Sequence, residues 1–415
     1  MRTRAVLLLA VLALAAQLAI MAGARAEAFV PANDAVVVEQ LREHPRDDEL
    51  ADYRRLRTQL RARPDDAALA AATARAAIGL ARRDGDPRFL GAAEAALGPW
   101  WNQPDAPRPL RVLRAILRQS NHDFDAALSE LDALLRVAPD EAQARLVRAS
   151  VLQVQGRYDA AERDLHLLAD HPQAGLYARA GLAELASLQG DAARGAAELA
   201  ALMNPTSDRA ARSSQAGAPP AWITLLDAEM AARRDDAAHA DRAFRAALGA
   251  TPDAYTLGAY ADFLLDQRRP AEAARLLVEH QRADALLLRL ALAWRAMNDP
   301  RWQAATAELD DRFRAARLRG NTVHRREEAR FRLALKDDAG AALTLARDNW
   351  LVQREPADLR LLIDCASAAA SSADTADSDA ARLALAEARR FITANRLDDR
   401  RLRAALAVAN PRPAT

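Results

Sequence analysis

The side chains of this 415-residue chain that could bind a metal or catalyse are seven histidines, one cysteine and several adjacent aspartate pairs. His44, His122, His166, His171, His239, His280 and His324 are scattered along the whole length. Of these, His166 and His171 stand closest to a ligand spacing, but five residues apart they point to different sides of a helix and across its end. Cys365 lies among Leu361, Leu362, Ile363 and Ala366, the surroundings of a buried structural thiol. A nucleophilic cysteine needs a histidine or a positive field beside it, and none is near in sequence. Of the pairs Asp47 with Asp48, Asp65 with Asp66, Asp235 with Asp236, Asp310 with Asp311 and Asp337 with Asp338, most stand at helix starts or turns. N-capping and the helix dipole account for such positions without acid–base work. A glycosidase-type carboxylate pair would have to be assembled from distant helices. No phosphate-binding glycine loop, Gly-x-Ser-x-Gly or His-Glu-x-x-His occurs. The expectation is therefore no catalytic residue, no metal and no cofactor.

The elements that must carry these side chains are helices. The chain is 51% hydrophobic, 28% charged and only 5% aromatic, with 15 glycines, a composition that favours helix over sheet. Its 58 basic residues are arginine apart from Lys336, and 57 acidic residues leave a net charge of +1. No global field calls for nucleic acid. Arg2 and Arg4 precede an apolar run from Ala5 to about Ala24, followed by Ala24-Arg25-Ala26. This reads as a secretory signal peptide cleaved after Ala26, or as an uncleaved anchor of the inner membrane. Either places the remainder in the periplasm or outside the cell, with the membrane touched only through that segment.

One pattern recurs at fixed spacing. Asn121-His122-Asp123-Phe124, Gln155-Gly156-Arg157-Tyr158 and Gln189-Gly190-Asp191-Ala192 follow one another in steps of 34 residues, the mark of a helical repeat array. Ala144, Val147, Val151 and Val154 form one apolar stripe, and Tyr158, Ala161, Leu165 and Leu168 form the next. Prolines 139, 172 and 205 punctuate the units. The second helices carry Ala127, Leu131 and Pro139; Ala161, Leu165 and Pro172; Gly195, Leu199 and Pro205; and Ala240, Phe244, Ala247 and Pro252. In these positions the chain resembles the tetratricopeptide repeat family, although Arg111 and Arg145 stand where that family often has tryptophan.

The resemblance implies an all-α, tetratricopeptide-like α-solenoid of stacked helix-turn-helix pairs wound as a right-handed superhelix. The expected organisation is a signal peptide or anchor at 1–26, N-terminal helical pairs at 27–107 and core repeats at 108–205. A loop at 206–220, further repeats at 221–394, and a capping helix with tail at 395–415 complete it. In such arrays the first helices line a concave groove, which would place Gln143, Leu146, Ser150, Gln153, Tyr177, Glu184 and Ser187 in it. Trp100 and Trp101, inside the proline-rich break at 98–107, are candidates for partner docking. The functional expectation is a non-enzymatic scaffold of a bacterial cell envelope that binds a protein or peptide in the groove. The alternatives are an envelope enzyme using groove carboxylates on polysaccharide or peptidoglycan, and a subunit of a polysaccharide export or secretion assembly.

Overall fold

The computed structural model describes residues 47–204, 220–249, 251–320, 323–370 and 374–409. The expected signal segment, the beginning of the expected N-terminal helical pairs up to residue 46, all of the 206–220 loop but Pro220, and the tail beyond 409 lie outside the described residues.

The described residues form twenty α-helices and no strand. The first half holds α1 (Asp48–Ala62), α2 (Ala67–Asp84), α3 (Arg88–Ala96), α4 (Arg108–Ser120), α5 (Phe124–Val137), α6 (Ala142–Val154), α7 (Tyr158–His166), α8 (Gly175–Leu188) and α9 (Ala192–Met203). Then come α10 (Ala221–Arg233), α11 (Ala237–Leu248), α12 (Ala254–Asp266), α13 (Pro270–Leu277), α14 (Asp284–Ala296) and α15 (Arg301–Leu318). The series ends with α16 (Arg325–Leu335), α17 (Ala339–Trp350), α18 (Pro356–Ala369), α19 (Thr375–Ala394) and α20 (Arg400–Ala409). Each even-numbered helix from α2 to α18 packs on the odd-numbered one after it, and neighbouring even-numbered helices touch along one side. The cap expected at the end is α20, which packs on α18 and covers its otherwise open face. The proline-rich break contains a single 3₁₀ turn, Gly98–Trp100, because Pro99 sits at its start, where a missing N–H costs nothing.

The turn inside each unit explains the recurrence. From the α2/α3 turn to the α16/α17 turn, one residue apiece takes the left-handed conformation: Gly85, His122, Gly156, Gly190, Asp235, Arg268, Asn298 and Asp337. In six of these turns the residue after it returns its N–H to the carbonyl five positions earlier, as Asp123 does to Arg118 at 2.8 Å and Arg157 to Leu152 at 2.8 Å. An aspartate then caps the new helix in many units, Asp66, Asp123, Asp191, Asp236 and Asp338 among them. That is the work of Asp66, Asp236 and Asp338 in three of the aspartate pairs, whereas Asp310 and Asp311 lie inside α15.

The array winds back on itself. The row of turns at Gly85, His122, Gly156 and Gly190 meets the opposite edge of units far along the chain. A β-carbon on Gly85 would stand 3.0 Å from Ala254, one on Gly156 2.6 Å from the Phe391 ring, and one on Gly190 3.5 Å from the Arg396 carbonyl. Backbone hydrogen bonds fasten the edges: Arg354 N–H donates to the Val154 carbonyl at 2.7 Å and Asp398 N–H to Leu188 at 2.9 Å. Phe391 lies edge-on to Trp350, their ring centres 4.9 Å apart, and close to Tyr158. One apolar core therefore joins Phe124–Leu185 to Ala329–Leu402. Cys365 is buried in it, and burial pushes its thiol up to about 12, so it is inert. Among the described residues no helix is long and apolar enough to cross a membrane.

Candidate functional site

Inside each unit of the core block, arginines replace the tryptophan that the resemblance leads one to expect. Arg111, Arg114 and Arg118 of α4 converge on Glu130 of α5 at 2.6, 2.9 and 3.3 Å. Thirty-four residues on, Arg145 and Arg148 of α6 hold Asp164 of α7 at 3.1 and 2.7 Å. Burial pushes Glu130 up, but the hydrogen bonds from Arg111 and Arg114 outweigh it and keep the carboxyl below its ordinary range. Arg114 also donates to the carbonyls of Trp100, Trp101 and Gln103 at 2.5, 2.9 and 2.8 Å. Trp100 is buried, and Trp101 is half-buried with the Arg118 guanidinium 5.8 Å from its ring centre. Both tryptophans thus belong to the packing between units.

The groove-lining expectations divide. Gln153 donates to Glu184 at 3.0 Å, linking α6 to α8, and Ser150 accepts from Gln119 at 3.2 Å, linking α6 to α4. Gln143 is exposed, and Leu146 packs partly into the core. Tyr177, half exposed, stacks on Trp222 with ring centres 4.8 Å apart, bridging α8 to α10. Ser187 is 1% exposed, packed where a β-carbon on Gly195 would clash, and so lines no open space.

Ser150 and Glu184 each stand seven positions before the residue that opens the following helix, Arg157 and Asp191. Carried past the interruption, that position is Glu229 on α10, before Asp236, and Asp262 on α12, before Arg269. These polar residues, missed in the sequence, continue the same offset as one row of equivalent positions, unit by unit. The signal was the spacing, obscured by the segment between α9 and α10.

Around that row several stretches of chain meet. The Tyr255 hydroxyl donates to Glu229 at 2.9 Å, although the residue as a whole is 60% exposed. The neighbouring Glu229 together with burial raises its hydroxyl well above the usual tyrosine value. Burial raises the Glu229 carboxyl to about 7 against the pull of Arg233. Arg233, almost wholly buried, reaches Glu184 at 3.8 Å and leaves Nε and one terminal nitrogen without a hydrogen-bond partner. Arg326 bridges Glu355 at 3.2 Å and Asp358 at 3.6 Å, while burial raises Asp358 to about 7. Burial would raise Asp262 as well, but Arg289 and Arg330, at 2.7 and 2.6 Å, hold it well below the ordinary carboxylate range. His122, in the turn that meets Arg326, is pushed down to about 4 by burial and then by that arginine. Among the described residues no cluster of three or more histidine, cysteine or carboxylate side chains could hold a metal ion.

No family model matches the chain, and no curated protein matches it. Solved structures share its helical build at low identity. The human IFIT1 dimer with m7Gppp-AAAA is 12% identical over 87% of this chain and 85% of that one, with a TM-score of 0.42. The APC/C hetero-tetramer Cut9-Hcn1 is 13% identical over 87% of this chain and 74% of its own, at 0.39. The TPR domain of P58(IPK) is 13% identical over 84% and 94%, at 0.21. Scores this low carry no functional argument. The paired helices, the 34-residue step from His122 to Gly190 and the left-handed turns from α2/α3 to α16/α17 stand on this chain's own geometry, and by them it is a tetratricopeptide-like helical repeat protein.

Proposed function

We propose that the chain is a non-enzymatic scaffold that holds an extended stretch of a partner protein along the lumen row of Ser150, Glu184, Glu229 and Asp262, with Tyr255 as the accessible aromatic contact. The support is the accessible Tyr255 among side chains from three separate stretches of chain, hydrogen-bonded to one member of that row. Carboxylates spaced unit by unit suit a polypeptide with amide or basic groups and disfavour nucleic acid. The apolar N-terminal run motivates export to the periplasm of a bacterium. Affinity capture from an envelope fraction, with the mature chain and its Tyr255→Ala and Glu184→Ala variants as baits, is the test. The expected outcome is a partner retained by the parent chain and lost from both variants; a partner held equally by all three would overturn the reading. A reporter fused after residue 46 and active only outside the cytoplasm would support export.

A second reading has one observation in its favour. Glu229 is raised to about 7 and stands near Glu184, which suits a general acid beside a second carboxylate. An envelope hydrolase would then lose release of soluble fragments from peptidoglycan or polysaccharide on Glu229→Gln. Absence of such release by the parent chain removes this alternative and leaves the scaffold standing.

A further inference from the structure

Away from the polar row, a cleft of about 640 Å³ opens where the turn after α10 and the end of α12 meet α18 and α20. Its apolar wall is made by Phe263, Ala405 and Val408, the last 76% exposed. Two arginines line it, and both are already engaged. Arg360 donates to Asp266 at 2.6 and 2.9 Å, and Arg401 donates to Asp399 at 3.2 and 2.9 Å.

The acids of the cleft outnumber those partnerships. Asp364 has a side chain 42% exposed, accepts no hydrogen bond among the described residues and comes no closer than 3.7 Å to Arg360. Asp235, at the rim and 65% exposed, has Arg400 at 4.0 Å. With each arginine matched to its own aspartate, the cleft keeps a negative excess beside an apolar wall. Burial pushes the Asp364 carboxyl up against the pull of Arg360 and Arg330, with Asp266 adding to the rise. Two carboxylates without a third ligand do not make a metal site, which favours an organic cation.

We propose that this cleft receives an arginine or lysine side chain of a partner polypeptide, its aliphatic stem along Phe263, Ala405 and Val408 and its charged end between Asp364 and Asp235. Long basic side chains join an apolar stem to a cationic head, and the cleft offers a surface for each. The inference rests on the scaffold reading and adds to it the chemistry of one partner residue.

The test is calorimetric titration of the whole chain with the capped peptide Ala-Leu-Ala-Arg-Ala-Leu-Ala and with its citrulline analogue, which keeps the shape and loses the charge. Binding of the arginine peptide is expected, about tenfold tighter than that of the analogue. Asp364→Asn is expected to weaken it about fivefold and Asp235→Asn about twofold, the range for partly exposed charge pairs. Ala404→Arg, at an exposed position of α20 on the cleft wall, places a guanidinium at the mouth and is expected to abolish binding with an unchanged helical circular dichroism spectrum. No binding of the arginine peptide, equal binding of the analogue, or indifference to both Asp364→Asn and Ala404→Arg would each overturn the proposal. Envelope partners captured undiminished by these two variants, yet lost from Tyr255→Ala, would sink the cleft and leave the lumen reading intact.

Discussion

The units between Arg108 and Met203 and those between Ala254 and Ala394 are made from the same helix pair but secure their charges differently. In the first block the carboxylates Glu130 and Asp164 are gripped by arginines 12 to 19 residues away, inside one unit. In the second, Asp262 pairs with Arg330 across 68 residues and Asp266 with Arg360 across 94. A pair inside a unit forms with that unit and repeats with it. A pair between units forms only when the superhelix has closed, so it reports on curvature and tolerates irregular spacing. The first block is therefore regular, and the second is bound together by its lumen.

This contrast can be broken experimentally. The largest effect is expected from Glu130→Gln, which leaves Arg114, 2% exposed, buried beside no charge. A loss of about 3 kcal/mol in urea unfolding is expected, whereas a loss under about 1 kcal/mol would mean that the intra-unit grip is dispensable. Gly156→Ala comes next, because it forces a side chain into φ +70° against Phe391. About 2 kcal/mol should be lost, with faster amide exchange around Phe391 and undisturbed protection in α5. Equal loosening of both blocks would show that the edges are not separable.

Asp262→Asn should cost about 1 kcal/mol, discounted because the side chain is 32% exposed. Since its carboxyl is held below its ordinary value, the stabilisation exists above about 3.8 and is lost as pH falls through the lower, folded-state value. The variant should accordingly show a flatter acid limb of stability. Glu229→Gln sharpens the comparison with the smallest effect. The parent carboxyl is raised from 4.5 to about 7, so the folded state holds the proton more tightly and loses stability as pH rises through that window. The variant should melt about 1 °C higher than the parent at pH 8 and equal to it at pH 4. An identical difference at both values would contradict the protonation argument.

Much of the fold was legible in the sequence for a physical reason. The left-handed turn requires glycine or a tolerant residue at one position, and the next helix requires a cap just after it, so His122-Asp123, Gly156-Arg157 and Gly190-Asp191 recur visibly. The inner face was legible only where spacing held. Ser150, Gln153 and Glu184 stand in that spacing, whereas Glu229, Asp262 and Tyr255 lie beyond the interruption and outside the regular step. Trp100 looked like a docking aromatic because sequence shows a proline-rich break and not the arginine that fastens it. The winding of the second turn onto the first left almost no sequence signal, since any small turn residue permits it and the contact depends on Phe391, more than two hundred residues after Gly156.

That winding also sets an order of assembly. Tyr158 hydrogen-bonds the Arg354 carbonyl at 3.5 Å across 196 residues, so the first block must wait for most of the chain before its edge is covered. The entropy of closing so long a loop grows only slowly with its length, but the delay during synthesis grows in proportion. A growing chain that has reached about residue 300 therefore presents Val154, Tyr158 and Leu188 with their later neighbours still missing. For that interval those apolar edges stay uncovered, and the arginine grips on Glu130 and Asp164, made within their own units, do not depend on the later chain.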